Sequence, residues 1–384
     1  MDARPKVLDL FCGIGGLGLG FDRAGFGIIG GVDVWQDAAK TFEHNHKAPC
    51  CVADLSAIHA GDILDHFSIK EHGVDVTIGG PPCQGFSTVG KRNAADPRNK
   101  LWEHYLGLVA QIRPAYVLIE NVEGLAVMNK GEVCKQIVRS FNEIGYFAKW
   151  KLLRSADYGV PQLRKRVIFL AWLSGLVEPD FPRPSIDQHV TVADAIFDLP
   201  RLESGQSATE YDKQPSTAFQ IARRGSCERI TGHVAAKHPP HMVEILRHIP
   251  DGGNRKSIPD ELQPKSGFHN SYARLASGKP AVAVTSNMRK PSSARATHPN
   301  QERGLTVREG LRLQTFDDSF EVLGSRTSQY LQVGNAVPPI LGEVLGNNVL
   351  KAFNANSLKS LECARKNIVR VSSTQTEQLL LGLS

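Results

Sequence analysis

Val7-Leu8-Asp9-Leu10-Phe11-Cys12-Gly13-Ile14-Gly15-Gly16-Leu17-Gly18 reads as an apolar strand running into a glycine turn and then a helix. Glycine permits a tight turn and lets a ligand approach the backbone closely. Gly13, Gly15 and Gly18 have the spacing of a dinucleotide fingerprint, a weak signal when alone. The next apolar run, Gly27 to Val32, ends at Asp33, about 20 residues beyond the turn, where a ribose hydroxyl is usually held. A third run, Cys50 to Ala53, ends at Asp54. Strands alternating with helices predict a parallel α/β sheet whose ligand lies at the carboxyl ends of the strands. This half of the chain is expected to bind a nucleoside-like cofactor.

Working outward, Asp75 to Ile78 is a further buried strand, and Gly79-Gly80-Pro81-Pro82-Cys83-Gln84-Gly85-Phe86-Ser87 follows it. Two prolines stop the strand and stiffen the backbone, which presents the Cys83 thiol on a rigid shelf. Most cysteines are small buried hydrophobes, so this reading depends on its surroundings. Leu101 to Ile112 is predicted helical. Tyr116 to Ile119 is a strand ending in Glu120-Asn121-Val122, one strand from Cys83. Glu132 to Ile144 reads as helix, and Lys149 to Arg154 and Val167 to Trp172 as strands. Arg164 and Arg166 alternate, a period that aims both guanidinium groups to one side to grip a phosphate or carboxylate. An ordinary basic edge strand has the same pattern.

The pattern changes after Leu173, where proline becomes frequent. Between Ile221 and Arg303 there are 14 Lys and Arg against 6 Asp and Glu, while the whole chain carries +6. That local excess is the footprint expected for a phosphate backbone; a solvated insertion is the plainer reading. Order returns at Leu305. Thr306-Val307-Arg308-Glu309 has capping-box spacing and leads into a helix to Thr315. Gln332 to Pro339 reads as a turn into a last helix, Ile340 to Phe353. Residues from about Asn354 read as a patternless tail.

Composition agrees with this reading. The 384 residues are 41% hydrophobic, with a pI near 8.9. Seven cysteines in no regular framework point to a reducing compartment. The first residues lack the apolar core of a signal peptide, and no apolar run approaches a membrane span of about 20 residues. The expectation is a soluble cytosolic protein without membrane contact. His44, His46, Cys50 and Cys51, and likewise Cys227, His233, His238 and His241, fit no standard zinc spacing.

Taken together, these motifs resemble the cytosine-5 DNA methyltransferase family. Asp9 to Gly16 is similar to its cofactor loop, Gly79 to Ser87 to its catalytic loop, and Glu120-Asn121-Val122 to its acidic triplet. Gln162 to Arg166 resembles its arginine pair, and Leu305 to Phe320 and Gly334 to Pro339 its late motifs. Six motifs occur in order, covering most of the chain outside 187–303. Asp317 stands where the family usually has proline, and Val34 where some members place an aromatic.

The resemblance implies a Rossmann-like sheet dependent on S-adenosyl-L-methionine, with a smaller, loop-rich target-recognition domain inserted near the C-terminus. Residues 1–186 would form the catalytic, cofactor-binding domain and 187–303 the recognition domain. The chain would return to the catalytic domain over 304–353, and 354–384 would be the tail. It implies catalytic roles for Cys83, Glu120, Arg164 and Arg166. S-adenosylmethionine would be held by Asp9, Phe11, Gly13, Ile14, Gly15, Gly16, Asp33, Asp54, Leu55, Pro82, Leu101, Asn335 and Ala336, with no metal. Cys83 would attack C6 of a cytosine flipped out of double-stranded DNA. The setting would be a prokaryotic cytosol and the protein a monomer, with room for a cognate restriction endonuclease acting on the same site. Four readings compete. A nicotinamide oxidoreductase explains neither Cys83 nor Glu120. A transfer-RNA methyltransferase typically departs from Gln84-Gly85-Phe86-Ser87. A non-catalytic DNA-binding module has no need of the whole set, and thiol redox chemistry finds no resolving cysteine.

Overall fold

A computed structural model describes residues 4–70, 72–82, 97–264, 271–292 and 297–367. Its described residues form two compact units: 1–153, 165–183 and 342–384 make up one, and 154–164 with 184–341 the other.

The first unit is built on the sheet that the glycine turn announces. Its strands are β1 (Lys6–Leu10), β2 (Gly27–Asp33), β3 (Cys50–Val52), β4 (Val76–Gly79), β5 (Tyr116–Val122), β6 (Tyr146–Arg154) and β7 (Lys165–Leu173). They lie in the order β3-β2-β1-β4-β5-β7-β6. β1, β2, β3, β4 and β5 pair in parallel, whereas β7 runs antiparallel to β5. The sheet is therefore mixed rather than all parallel. The central strands are buried without alternation, as expected when helices cover both faces.

Helices Gly16–Ala24, Gln36–His46 and Pro97–Ile112 flank these strands. The last long helix, Pro339–Asn354, returns to the first. A Cβ at Gly342 would lie 2.9 Å from the Leu17 carbonyl, and one at Gly346 2.8 Å from the Ala24 side chain. Glycine at these positions lets the two helices approach closely. The tail expected from Asn354 is corrected over its first part, where Leu358–Asn367 is helical and Leu361 and Ala364 are buried. Arg365 anchors it on Asp75 at 2.8 Å, and Asp75 also accepts from the Lys6 amide. Ends of β1 and β4 and the helix are thereby pinned together.

The second unit is loop-rich and extends beyond 187–303, taking in 154–164 and 304–341 as well. Thr306 and Glu309 form the expected capping box, and the helix runs Val307–Leu313. Glu309 also receives two hydrogen bonds from Arg303, at 2.7 and 2.8 Å. Burial alone would raise this carboxyl. The charge and hydrogen bonds of Arg303 outweigh it and hold the group far below the usual range. Arg312 spans Asp318 and Asp198 at 2.6 and 3.1 Å, and Tyr211 donates to Asp318. The turn expected over Gln332–Pro339 is corrected in its first part: a helix, Arg326–Asn335, runs through Gln332 to Asn335 and buries Tyr330 and Val333.

The basic segment is less available to a partner than its charge implied. Arg303 is fully buried, and Arg274, 6% exposed, donates to the carbonyls of Leu246, Ile249, His298 and Gln301. Arg223 pairs with Asp317 at 3.1 Å, which gives a partner to the acid standing in the family's proline position. Arg223, Arg274 and Arg303 thus serve as internal scaffolding, while Arg229, Lys237, Arg247, Lys256 and Lys279 remain exposed.

Candidate active site

The glycine turn sits at the carboxyl end of β1. Phe11, Gly13 and Gly15 all have positive φ (61°, 54° and 81°). Gly13 donates its amide to Asp33 Oδ2 at 2.8 Å, and Trp35 donates to Asp33 Oδ1 at 2.9 Å. The acid ending β2 therefore holds the turn in place. Burial raises the Asp33 pKa, and these backbone donors offset it in part. Asp9, 1% exposed, lies beneath the turn beside Gly18. Burial, then the neighbouring Asp33 charge, pushes it well above the carboxylate range.

Two glycines of the turn differ in purpose. A Cβ at Gly13 would meet nothing within 4 Å, so open space lies over it. A Cβ at Gly15 would fall on the His46 ring, itself stacked on Phe42 at 4.3 Å. Burial lowers His46 to about 4, so it is neutral at neutral pH. Ile14 and Gly16 are buried around it. Asp54 follows β3, exposed, and accepts from the Ser56 amide and hydroxyl at 2.8 and 2.7 Å, which lowers its pKa. Its neighbour Leu55 is buried. Open space over a turn, a half-buried aromatic at Phe11 and an acid at a strand end suit a nucleoside carrying hydroxyl donors. A pyrophosphate would meet the Asp33 carboxylate at the end of β2.

Glu120 and Asn121 lie inside β5 rather than beyond it. In the antiparallel register Glu120 faces Ile168 and Val122 faces Arg166, so Glu120 and Arg166 are diagonal neighbours on one face. Arg166 Nε lies 2.5 Å from Glu120 Oε1, an ion pair more than an aligned hydrogen bond, with both side chains largely buried. Gly80 brings backbone to this carboxylate: a Cβ there would sit 3.4 Å from Glu120 Oε2. The turn after β4 is fixed by a residue the sequence reading quoted without a role. Asn121 Nδ2 donates to the Pro81 carbonyl at 2.8 Å, and its Oδ1 accepts from the Val122 amide at 2.9 Å. A carboxamide beside Glu120 at the end of a buried apolar run was the available signal. Pro82 is exposed, and Leu101 is half-buried in the helix Pro97–Ile112. Cys83 lies outside the described residues, as does the loop to residue 96.

Arg164 does not share a strand with Arg166, because β7 begins at Lys165. It belongs to the second unit, 3% exposed, and donates to the carbonyls of Val284 and Gly334 at 3.4 Å each. Gln162, fully buried, donates to the Leu313 carbonyl at 2.8 Å in the same unit. Asn335, exposed, and Ala336, buried, follow there, the latter accepting from Gln314 at 3.1 Å. The structure thus gathers Asp9, the glycine turn, Asp33, Glu120 and Arg166 toward the carboxyl ends of the parallel strands, while Arg164, Asn335 and Ala336 are carried by the other unit.

Comparison with known proteins shows the family of the chain. The sequence matches the C-5 cytosine-specific DNA methylase family over residues 5–351. It is 39% identical over 353 residues to the Type II methyltransferase M1.HphI of Haemophilus parahaemolyticus, covering 91% of this chain and 87% of that one. It is 32% identical to M.AgeI of Thalassovita gelatinovora, covering 91% of this chain and all of that one. A putative DNA modification methyltransferase encoded within a prophage of E. coli superposes with a TM-score of 0.75 at 26% identity, covering 91% of this chain and 99% of that one. An Entamoeba histolytica methyltransferase, EhMeth, shares the fold at TM-score 0.60 and 16% identity, covering 92% and 99%. With the glycine turn, the acidic strand end and the Glu120–Arg166 pair in place, the chain belongs to the C-5 cytosine-specific DNA methylase family and is a DNA cytosine-5 methyltransferase.

Proposed function

We propose that this enzyme transfers the methyl group of S-adenosyl-L-methionine to C5 of a cytosine flipped out of a specific duplex DNA sequence, through a covalent Cys83–C6 intermediate. The observation that carries the reading is the Glu120–Arg166 pair, 2.5 Å apart, beside the Gly80–Pro82 turn that Asn121 holds. When bound over the glycine turn, S-adenosylmethionine supplies an electrophilic methyl. Phe11, Asp33, Asp54, Leu55, Pro82 and Leu101 would hold it, and the family resemblance gives Asn335 and Ala336, carried by the second unit, a cofactor-binding role as well.

Cytosine C5 is a poor nucleophile until the ring is activated. The Cys83 thiolate adds to C6, and the displaced electron pair moves toward N3, leaving enamine character at C5. Glu120 hydrogen-bonds or protonates N3 and reads the exocyclic amine. Arg166 holds the Glu120 carboxylate; Arg164 is the second arginine to which the family resemblance gives a catalytic role. After C5 has taken the methyl, its proton leaves to a base, the C5–C6 double bond reforms and Cys83 is expelled as thiolate. Residues 187–303 read the sequence in the major groove, where each base pair has a distinct pattern. The protein acts as a monomer, and its likeness to Type II methyltransferases supports a companion endonuclease of the same specificity. A cognate duplex carrying 5-fluorocytosine tests the reading, because fluorine cannot leave as a proton does. A denaturation-resistant adduct is expected with the wild-type protein and none with Cys83→Ala; no adduct with the wild type overturns covalent catalysis.

A further inference from the structure

A recess of about 80 Å³ opens in the second unit between the segment after helix Val192–Ile196 and residues 298–301. Phe197, Arg201, Lys213, His298, Asn300 and Gln301 line it, and no carboxylate does. Two floor residues are fixed from within. Gln301 Oε1 accepts from the Leu202 amide at 2.9 Å and from Arg303 at 2.7 Å. His298 is 2% exposed and stacked beside Phe197. Burial lowers its pKa to about 3, so the floor is neutral. Three acids adjoin the lining residues in sequence, and none lines the opening: Asp198 is buried against Arg312, Glu302 pairs with Arg274 at 3.3 Å, and Asp212 is exposed.

The rim is different. Arg201 and Lys213 are exposed, and neither has an ion-pair partner among the described residues. Arg201 spends one of its five donors, on the Asn300 carbonyl at 3.1 Å. That bond fixes the guanidinium over the recess while its other donors remain. The space suits two or three waters at roughly 30 Å³ each, or one small tetrahedral anion. It is too small for a nucleotide. Three other arginines of this unit, Arg274, Arg303 and Arg312, are buried and committed internally.

We infer that this recess seats one backbone phosphate of the duplex, gripped by Arg201 and Lys213 and by the exposed Asn300 amide. The inference rests on DNA being the substrate, and it adds a phosphate site that positions the duplex without reading bases. Free inorganic phosphate has the same chemistry, so the test separates the two.

Binding of a cognate duplex would be measured by fluorescence anisotropy from about 50 to 200 mM salt for the wild type, Arg201→Gln, Lys213→Met and the double variant. Each released contact lowers the slope of log K against log salt by roughly 0.9. Affinity should fall, while discrimination between cognate and altered duplexes stays constant. Ethylation interference should disappear at one phosphate in the double variant. Melting curves and S-adenosylmethionine affinity check the fold, and Lys213→Met, at an exposed position, serves if the double variant unfolds. Unchanged slopes overturn the inference, as does a change in base preference. Competition by inorganic phosphate at constant ionic strength, with unchanged slopes, would assign the recess to a free anion and also overturn it. The 5-fluorocytosine adduct is independent of all these readings, so failure here leaves the proposed reaction standing.

Discussion

Asn121 offers the sharpest perturbation of the site. It is 5% exposed and makes two hydrogen bonds, one to the buried Pro81 carbonyl and one from the Val122 amide. Asn121→Ala removes both. Val122 is 40% exposed, so its amide can turn to water at small cost. The Pro81 carbonyl has no such recourse, and a buried acceptor left unpaired costs about 1–3 kcal/mol. Stability should fall by that amount in a urea titration. The larger consequence is kinetic. Pro81 stands two residues before Cys83, and about 1 Å of misplacement in a reacting group costs on the order of 100-fold in rate. Single-turnover methyl transfer at saturating duplex and S-adenosylmethionine should slow by roughly 10- to 100-fold. Asn121→Asp separates the two bonds, because it keeps the acceptor for Val122 and loses the donor to Pro81. It should be at least as slow as the alanine variant. An aspartate variant with wild-type rate, or an alanine variant losing stability but no rate, would refute the reasoning.

Gly15→Ala forces a left-handed residue, at about 1–2 kcal/mol, and drives a methyl into the His46 ring. S-adenosylmethionine affinity measured by calorimetry should fall at least about tenfold, and His46→Ala in the same chain should recover the steric share; equal affinities in all three proteins would contradict this. Glu309 has a depressed pKa, so its contribution is fully present above the ordinary value of 4.5 and is lost as pH falls below it. The stability gap between wild type and Glu309→Gln should therefore be widest at neutral pH and close in acid, and a gap that widens in acid would reverse the sign. Exchanging 187–303 for the same segment of a relative should change which sequence bisulfite sequencing finds methylated; unchanged preference would place recognition elsewhere.

The central sheet was legible because its signals are local. Asp33 and Glu120 end short apolar runs, and the glycine spacing before Leu17 needs only the chain around it. The Thr306–Glu309 capping box was equally readable. The antiparallel course of β7 was not, since an apolar run carries no sign of its direction. Charge misled most. Arg274, Arg303 and Arg312 look like surface residues in sequence, yet the carbonyls and acids that satisfy them come from segments far along the chain. Gly334 misled in another way. It read as a turn, but it lies in a helix where a Cβ would strike the Ser286 backbone.

The opposed directions of β5 and β7 act as a ruler. Because one strand ends where the other begins, the carboxylate of Glu120 and the guanidinium of Arg166 meet through ladder register alone. Only the loops of the excursion between them, outside β6 and the helix Glu132–Glu143, can gain or lose residues without altering that spacing. A slip of one residue within β7 would instead turn Arg166 to the opposite side of the sheet. Single-residue insertions should therefore be tolerated in the connecting loops and rejected inside the strand, a pattern that an insertion scan across 123–173 would map directly.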